Sequence, residues 1–91
     1  MEKRVKIILS GKVQNVGFRY FIKNNAQELN VKGYVKNKED GTVEIVGEGE
    51  EKNIEALIKK CQQGPLRAQV DNVVISEEKT KKEYESFRTE K

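Results

Sequence analysis

The sequence predicts an α+β fold in which two amphipathic helices cover one face of an antiparallel β-sheet, with a short extra strand at the end of the chain. Several short segments alternate between apolar and polar residues, as half-buried strands do, and two longer segments repeat apolar residues at helical spacing. The chain has 91 residues, which leaves little room for more than one domain. We therefore expect a single domain over residues 1–91.

The chain begins with a predicted strand followed by a helix. Val5, Ile7 and Leu9 alternate with Lys6 and Ile8, which is the period of a strand, and Gly11 is expected to end this first strand. Apolar residues then recur every three or four positions from Phe18 to Leu29, which predicts the first helix. Asn30 can adopt the left-handed conformation found at many helix ends, so we expect the helix to end there.

Two strands at residues 31–37 and 42–46 are predicted to form a hairpin. The Asp-Gly pair at residues 40–41 lies between them and is typical of a tight turn. We expect Gly47 and Gly49 to break the second of these strands.

The second half of the chain is predicted to form a helix and two further strands. One stripe of the helix is apolar: Ile54, Leu57, Ile58 and Cys61. Gly-Pro at residues 64–65 ends the helix, and a strand over residues 70–75 follows, with a β-bulge expected at residues 71–72. A charged, solvated turn at residues 77–83 leads to a short closing strand at residues 84–88. The resulting β-α-β-β-α-β order is the ferredoxin-like plan, which hosts many unrelated functions.

The composition restricts the chemistry that the chain can perform. It has no histidine and one cysteine, which excludes an internal disulfide and the Ser-His and Cys-His pairs of many hydrolases. Cys61 belongs to the apolar stripe of the second helix and is expected to be a core residue. The net charge is +3, from 18 basic and 15 acidic residues, and both signs are mixed along the chain. This mixing favours a solvated surface over a nucleic-acid interface.

The sequence carries no pattern typical of export or membrane insertion. No apolar segment is long enough to cross a bilayer, and no apolar signal precedes the first strand. We therefore expect a cytoplasmic monomer that binds neither membranes nor nucleic acids.

The connection between the first strand and the first helix is the most informative segment for function. Backbone N–H groups at a helix N-terminus lack partners and favour anions. Asn15 and Gly17 tolerate the positive φ that lets a loop fold around an anion. Arg19 lies in the first helical turn, where a cation is unfavourable unless an anion accompanies it, and its guanidinium can bind two phosphate oxygens. An ordinary connecting loop with a surface arginine is the alternative.

Asn37 is the second candidate site residue. It lies where the second strand meets the hairpin turn. Asparagine is common in turns for purely structural reasons, so its position alone favours a structural role.

Taken together, these segments resemble the acylphosphatase family. The sequence GKVQNVGFR at residues 11–19 closely resembles the first signature of that family. GYVKN at residues 33–37, followed by DGTV at residues 40–43, resembles the second, and Gly-Pro at residues 64–65 matches a further family feature. The similarity covers nearly the whole chain, in the order that the family has.

The resemblance implies an enzyme that hydrolyses acyl phosphates to a carboxylate and inorganic phosphate, with no metal and no cofactor. It assigns the catalytic roles to Arg19, which would hold the phosphoryl group, and to Asn37, which would orient the attacking water. Backbone N–H groups of one loop would also bind the phosphate: Gln14, Asn15, Val16, Gly17, Phe18 and Arg19. The partners that it implies are the small acyl phosphate substrate and the phosphate product.

The chain departs from the family pattern at three positions, one of them near Asn30, where the family commonly has glycine and asparagine can also adopt a positive φ. Asn15 stands where the family usually has glycine. Since asparagine tolerates positive φ, the loop is still expected to form around phosphate. Tyr34 stands where tryptophan or another aromatic residue is frequent, which is a mild change.

Two other functions are weighed against hydrolysis. RNA-recognition domains share the β-α-β-β-α-β order, and KGYV at residues 32–35 faintly resembles their aromatic motif, but Asn37 and Lys38 follow where further aromatic residues are needed. A domain kept for regulation, as within hydrogenase-maturation proteins, is the second alternative. We expect a free enzyme, because such regulatory domains are parts of longer chains and because Arg19 and Asn37 are both present here.

Overall fold

The computed structural model describes residues 1–90, which form five strands and two helices. The elements are β1 (Glu2–Lys12), α1 (Phe18–Glu28), β2 (Lys32–Asn37), β3 (Val43–Glu50), α2 (Glu51–Gln63), β4 (Gln69–Glu78) and β5 (Phe87–Glu90). The strand order in the sheet is β4-β1-β3-β2-β5. Neighbouring strands are antiparallel except β2 and β5, which are parallel, so the closing strand makes the sheet mixed. The predicted ferredoxin-like α+β fold with an extra C-terminal strand is confirmed.

The core lies between the two helices and one face of the sheet. Three elements supply most of its side chains: Val5, Ile7 and Leu9 of β1, Phe18, Ile22 and Ala26 of α1, and Ile54, Leu57 and Cys61 of α2. Cys61 is fully buried, and burial raises its pKa to about 12. The thiol is therefore a core group, as the sequence predicted.

The two helices end close to the predicted positions. α1 ends at Glu28, and Asn30 has a φ of 57° while the Val31 N–H donates to the Ala26 carbonyl at 2.8 Å. Gly64 follows α2 with a φ of 71°. Both residues have a positive φ, which lets the chain leave a helix sharply. Neither helix in residues 1–90 is long and apolar enough to cross a membrane.

The predicted bulge in β4 is confirmed at Asp71. Ser10 of β1 pairs with Asn72, whereas the next residue, Gly11, pairs with Val70. Asp71 therefore has no partner in β1, and the register of β4 shifts by one residue at this end of the sheet.

The prediction that glycines break β3 is wrong. The strand continues through Gly47 and Gly49 to Glu50, because both glycines still pair with β1. A Cβ at Gly47 would lie 3.1 Å from the Val31 side chain and 3.4 Å from Leu57. Gly47 therefore allows Leu57 of α2 and Val31, the residue before β2, to pack closely over β3 while β3 remains paired with β1.

The charged segment predicted as a solvated turn at residues 77–83 is largely exposed, but it is not a local turn, because Glu77 and Glu78 belong to β4 and the chain continues to the far edge of the sheet. β4 and β5 lie at opposite edges of the sheet, so residues 79–86 must cross it. Two backbone N–H groups of this segment donate to the buried carboxylate of Glu48, at 3.1 and 3.0 Å. Its Glu83 carboxylate lies 2.7 Å from the Arg4 guanidinium. These charges anchor the segment to the sheet face opposite the helices.

We predict that Glu48 makes the stability of the fold depend on pH in the acid range. Burial opposes ionisation of this carboxyl, but the two backbone N–H groups and Arg4 outweigh it and hold the pKa below its ordinary value of 4.5. Such a group stabilises the fold above its unfolded pKa, and this contribution is lost as the pH falls through the lower folded pKa. Glu48→Gln should therefore lower the free energy of unfolding at neutral pH and flatten its decline below pH 4.5.

Denaturant titrations across the acid range measure this effect. Glu55→Gln, at an exposed position of α2, removes the same charge without removing these contacts. Equal pH profiles for the two variants would contradict the role of Glu48.

Candidate active site

The sheet register brings the ends of β1 and β2 together. Val43, the first residue of β3, pairs with Leu9 of β1 on one side and with Asn37 of β2 on the other. The connections that follow β1 and β2 therefore leave the same end of the sheet. Two loops that are distant in sequence meet there.

The connection between β1 and α1 is anchored by two valines. Val13 is fully buried and Val16 is 7% exposed, and both belong to the core. Asn15 and Gly17 are exposed and have positive φ values of 61° and 80°. The backbone therefore turns outward between apolar anchors, and Asn15 adopts the conformation expected of it.

Helix α1 begins without a side-chain cap. Its N-cap residue is Gly17, and its first turn holds no acidic residue. The Phe21 N–H donates to the Gly17 carbonyl at 3.0 Å, so the N–H groups before Phe21 have no acceptor within the helix. Phe18 fixes this helix end, since its buried ring packs edge-to-face on Phe21 with centroids 6.1 Å apart. The free N–H groups and the helix dipole favour an anion at this position.

Arg19 and Asn37 line one cleft of about 330 Å³ at the start of α1. Arg19 comes from the first turn of the helix, and Asn37 is the last residue of β2. The other lining residues are Asn15, Gly17, Phe18, Tyr20, Lys23 and Thr89. The structure thus places both candidate catalytic side chains in the same cleft as three of the candidate phosphate-binding loop residues.

Polar groups in this cleft are left without protein partners. Within residues 1–90, Arg19 belongs to no ion pair. The Oδ1 atom of Asn37 is buried and accepts no hydrogen bond from the described residues. A buried acceptor without a donor is costly, so a bound group that donates to Oδ1 would stabilise the site. Among the same residues, no three His, Cys, Asp or Glu side chains are grouped as a metal site would require.

Gln14 lies outside the cleft lining and connects the two loops. Its Nε2 donates to the carbonyls of Lys38 and Thr42, at 2.8 and 2.9 Å. These two residues also close the β2–β3 turn, since the Lys38 N–H donates to the Thr42 carbonyl at 2.9 Å. Because Asn37 directly precedes Lys38, the bridge sets the position of Asn37 relative to the loop. No local sequence pattern predicts this contact, because it joins two loops that are distant in the chain.

The β2–β3 hairpin is confirmed at the predicted Asp-Gly pair, with residues 38–42 as its connection. The Asp40 carboxylate accepts hydrogen bonds from the Thr42 hydroxyl and N–H, at 2.6 and 3.0 Å. These bonds lower the pKa of Asp40. Gly41 supplies a positive φ of 91°. The turn next to Asn37 is therefore fixed by its own hydrogen bonds as well as by Gln14.

Comparison with known proteins gives consistent matches over this whole architecture. The acylphosphatase family model matches residues 5–89. An acylphosphatase of Marinobacter nauticus is 44% identical over 86 residues, which cover 94% of each chain. The crystal structure of an acylphosphatase from Bacillus subtilis matches over the full length of both chains, with a TM-score of 0.94 and 32% identity. The crystal structure of full-length HypF matches all of this chain with a TM-score of 0.91 and 38% identity, over 12% of its own length. This chain belongs to the acylphosphatase family.

Proposed function

We propose that this chain hydrolyses acyl phosphates by metal-free, in-line attack of water on the phosphoryl group. The observation that carries the proposal is the cleft that Arg19 and Asn37 both line beside the uncapped start of α1. Family membership supports the class of reaction. The proposed roles of the two side chains rest on the geometry of the cleft together with the sequence resemblance.

Arg19 and the backbone N–H groups of residues 14–19 would hold the phosphoryl group. Phosphoryl transfer depends mainly on positioning and on charge stabilisation. A guanidinium without a carboxylate partner, next to free N–H groups at a helix N-terminus, supplies positive charge where the phosphoryl oxygens would lie. The acyl leaving group departs as a stable carboxylate and needs little help from an acid.

Asn37 would orient the attacking water. Its buried Oδ1 lacks a donor among the described residues, and a water molecule in the cleft could supply one. The water oxygen forms a bond to phosphorus as the bond from phosphorus to the acyl oxygen breaks. A neutral amide is too weak a base to accept the proton, so the proton passes to a phosphoryl oxygen. The products are a carboxylate and inorganic phosphate.

Hydrolysis of benzoyl phosphate, with and without a chelator, tests the proposal. We expect the same rate in both conditions, because Arg19 and the loop amides supply the positive charge. Loss of the rate in chelator, restored by a divalent cation, would contradict the metal-free mechanism. Absence of hydrolysis both with and without the chelator would contradict the proposed function itself.

We predict that substitutions of Arg19 and Asn37 have different kinetic effects. Arg19→Ala should raise KM and lower kcat, since the phosphoryl group is charged in both the ground and transition states. Arg19→Lys should recover little, because an ammonium cannot reproduce the planar guanidinium. Asn37→Ala should lower kcat on the order of 10²-fold and leave KM nearly unchanged.

Phosphate binding distinguishes the two roles. Inorganic phosphate should raise the melting temperature of the wild type and of Asn37→Ala, and it should raise that of Arg19→Ala much less. If Asn37→Ala lost phosphate affinity as severely as Arg19→Ala, Asn37 would be a phosphate ligand.

We predict that Gln14→Leu lowers kcat by about 10-fold, because the loop and Asn37 lose their common anchor. The substitution keeps the approximate size of the side chain and removes its donors to Lys38 and Thr42. Gln62→Leu, at an exposed position of α2, is the matched control. If Gln14→Leu lowered the melting temperature but left kcat unchanged at assay temperatures well below that melting temperature, the Gln14 bridge would only stabilise the fold.

A further inference from the structure

Lys23 is a second cation in the candidate active-site cleft, and the proposed reaction does not use it. It lies four residues after Arg19 on α1, so the two side chains share one face of the helix with Cβ atoms about 5–6 Å apart. Both line the same cleft, and Lys23 is half-buried. The cleft thus extends from the anion-binding helix start to a second positive group one turn later.

The two cations have no counter-charge within residues 1–90. Neither belongs to an ion pair, and no carboxylate lines the cleft. On the other face of the sheet, by contrast, three lysines gather around the buried carboxylate of Glu44: Lys6, Lys36 and Lys38. Like charges four residues apart destabilise a helix, and cations near its N-terminus oppose the dipole. The arrangement therefore favours a ligand with more than one anionic group.

We propose that Lys23 binds a second anionic group on the acyl portion of the substrate, so that the preferred substrates are acyl phosphates of acids that carry a further carboxylate or phosphate. The inference rests on the proposed function. With the phosphoryl group at Arg19 and the loop, an acyl portion that extends along the cleft away from the start of α1 would reach Lys23, which is one helical turn further along. Tyr20, which is 73% exposed, also lines the cleft and offers an apolar ring surface. The flexible stem of lysine lets its ammonium adapt to acyl groups of different length.

Matched substrates test this specificity. 4-Carboxybenzoyl phosphate carries the extra anion, and 4-carbamoylbenzoyl phosphate has nearly the same shape without the charge. We expect the wild type to favour the carboxylate in kcat/KM, and Lys23→Gln to reduce that preference by about 2- to 5-fold, as for loss of one partly exposed charge pair. The 3-carboxy isomer and the 4-phosphono analogue, measured in the same way, show which geometry and which anion Lys23 prefers.

Lys59→Gln, at an exposed position of α2, changes the net charge equally and should keep the wild-type preference. Hydrolysis of both matched substrates with no preference in the wild type would overturn the inference and leave the proposed function standing. An equal loss of preference in Lys59→Gln would also overturn it, since the effect would then be general attraction. If the wild type hydrolysed none of these acyl phosphates, the proposed function itself would fail.

Discussion

The pairing of Val43 with Leu9 on one side and Asn37 on the other is the constraint on which the candidate site depends. Because β3 is antiparallel to both neighbours, β1 and β2 run in the same direction, and their C-terminal residues lie at the same end of the sheet. The loop that leads to Arg19 and the turn that follows Asn37 therefore start side by side. A one-residue slip of either strand would turn Asn37 or the apolar residues of β1 to the wrong face of the sheet.

Strand register places the two loops near each other, and side chains then fix their separation. The buried Val13 and Val16 hold the first loop to the core, and the Gln14 amide ties it to the turn at Lys38 and Thr42. Phosphoryl transfer depends on the positions of charges and of the attacking water, so these supports contribute to the site together with the groups that would touch the substrate. Gln14 belongs to the loop signature, and the structure gives its side chain a positioning contact in addition to the backbone role predicted for it.

The features that the sequence predicted correctly depend on local patterns. The helix end at Asn30, the stop at Gly64 and the bulge at Asp71 follow from backbone preferences or from breaks in alternation within a few residues. The features that it missed depend on contacts between distant segments. Gly47 lies within β3, where the side chains of Val31 and Leu57 pack closely against it. Residues 79–86 cross the sheet because β4 and β5 lie at opposite edges. The shared cleft of Arg19 and Asn37 was expected only through the family resemblance, since neither position alone favoured it.

The buried arginine of the sheet and the arginine of the candidate site differ in whether carboxylates pair with them. Arg4, on the sheet face opposite the helices, is buried and forms ion pairs with three carboxylates, of Glu48, Glu78 and Glu83. Removing a charged group from water is unfavourable unless partners replace the water, and at Arg4 the protein supplies them. In the cleft of Arg19 the described residues supply no such carboxylates. The positive charge of Arg19 is therefore available to an anionic ligand, such as the phosphoryl group of the proposed substrate.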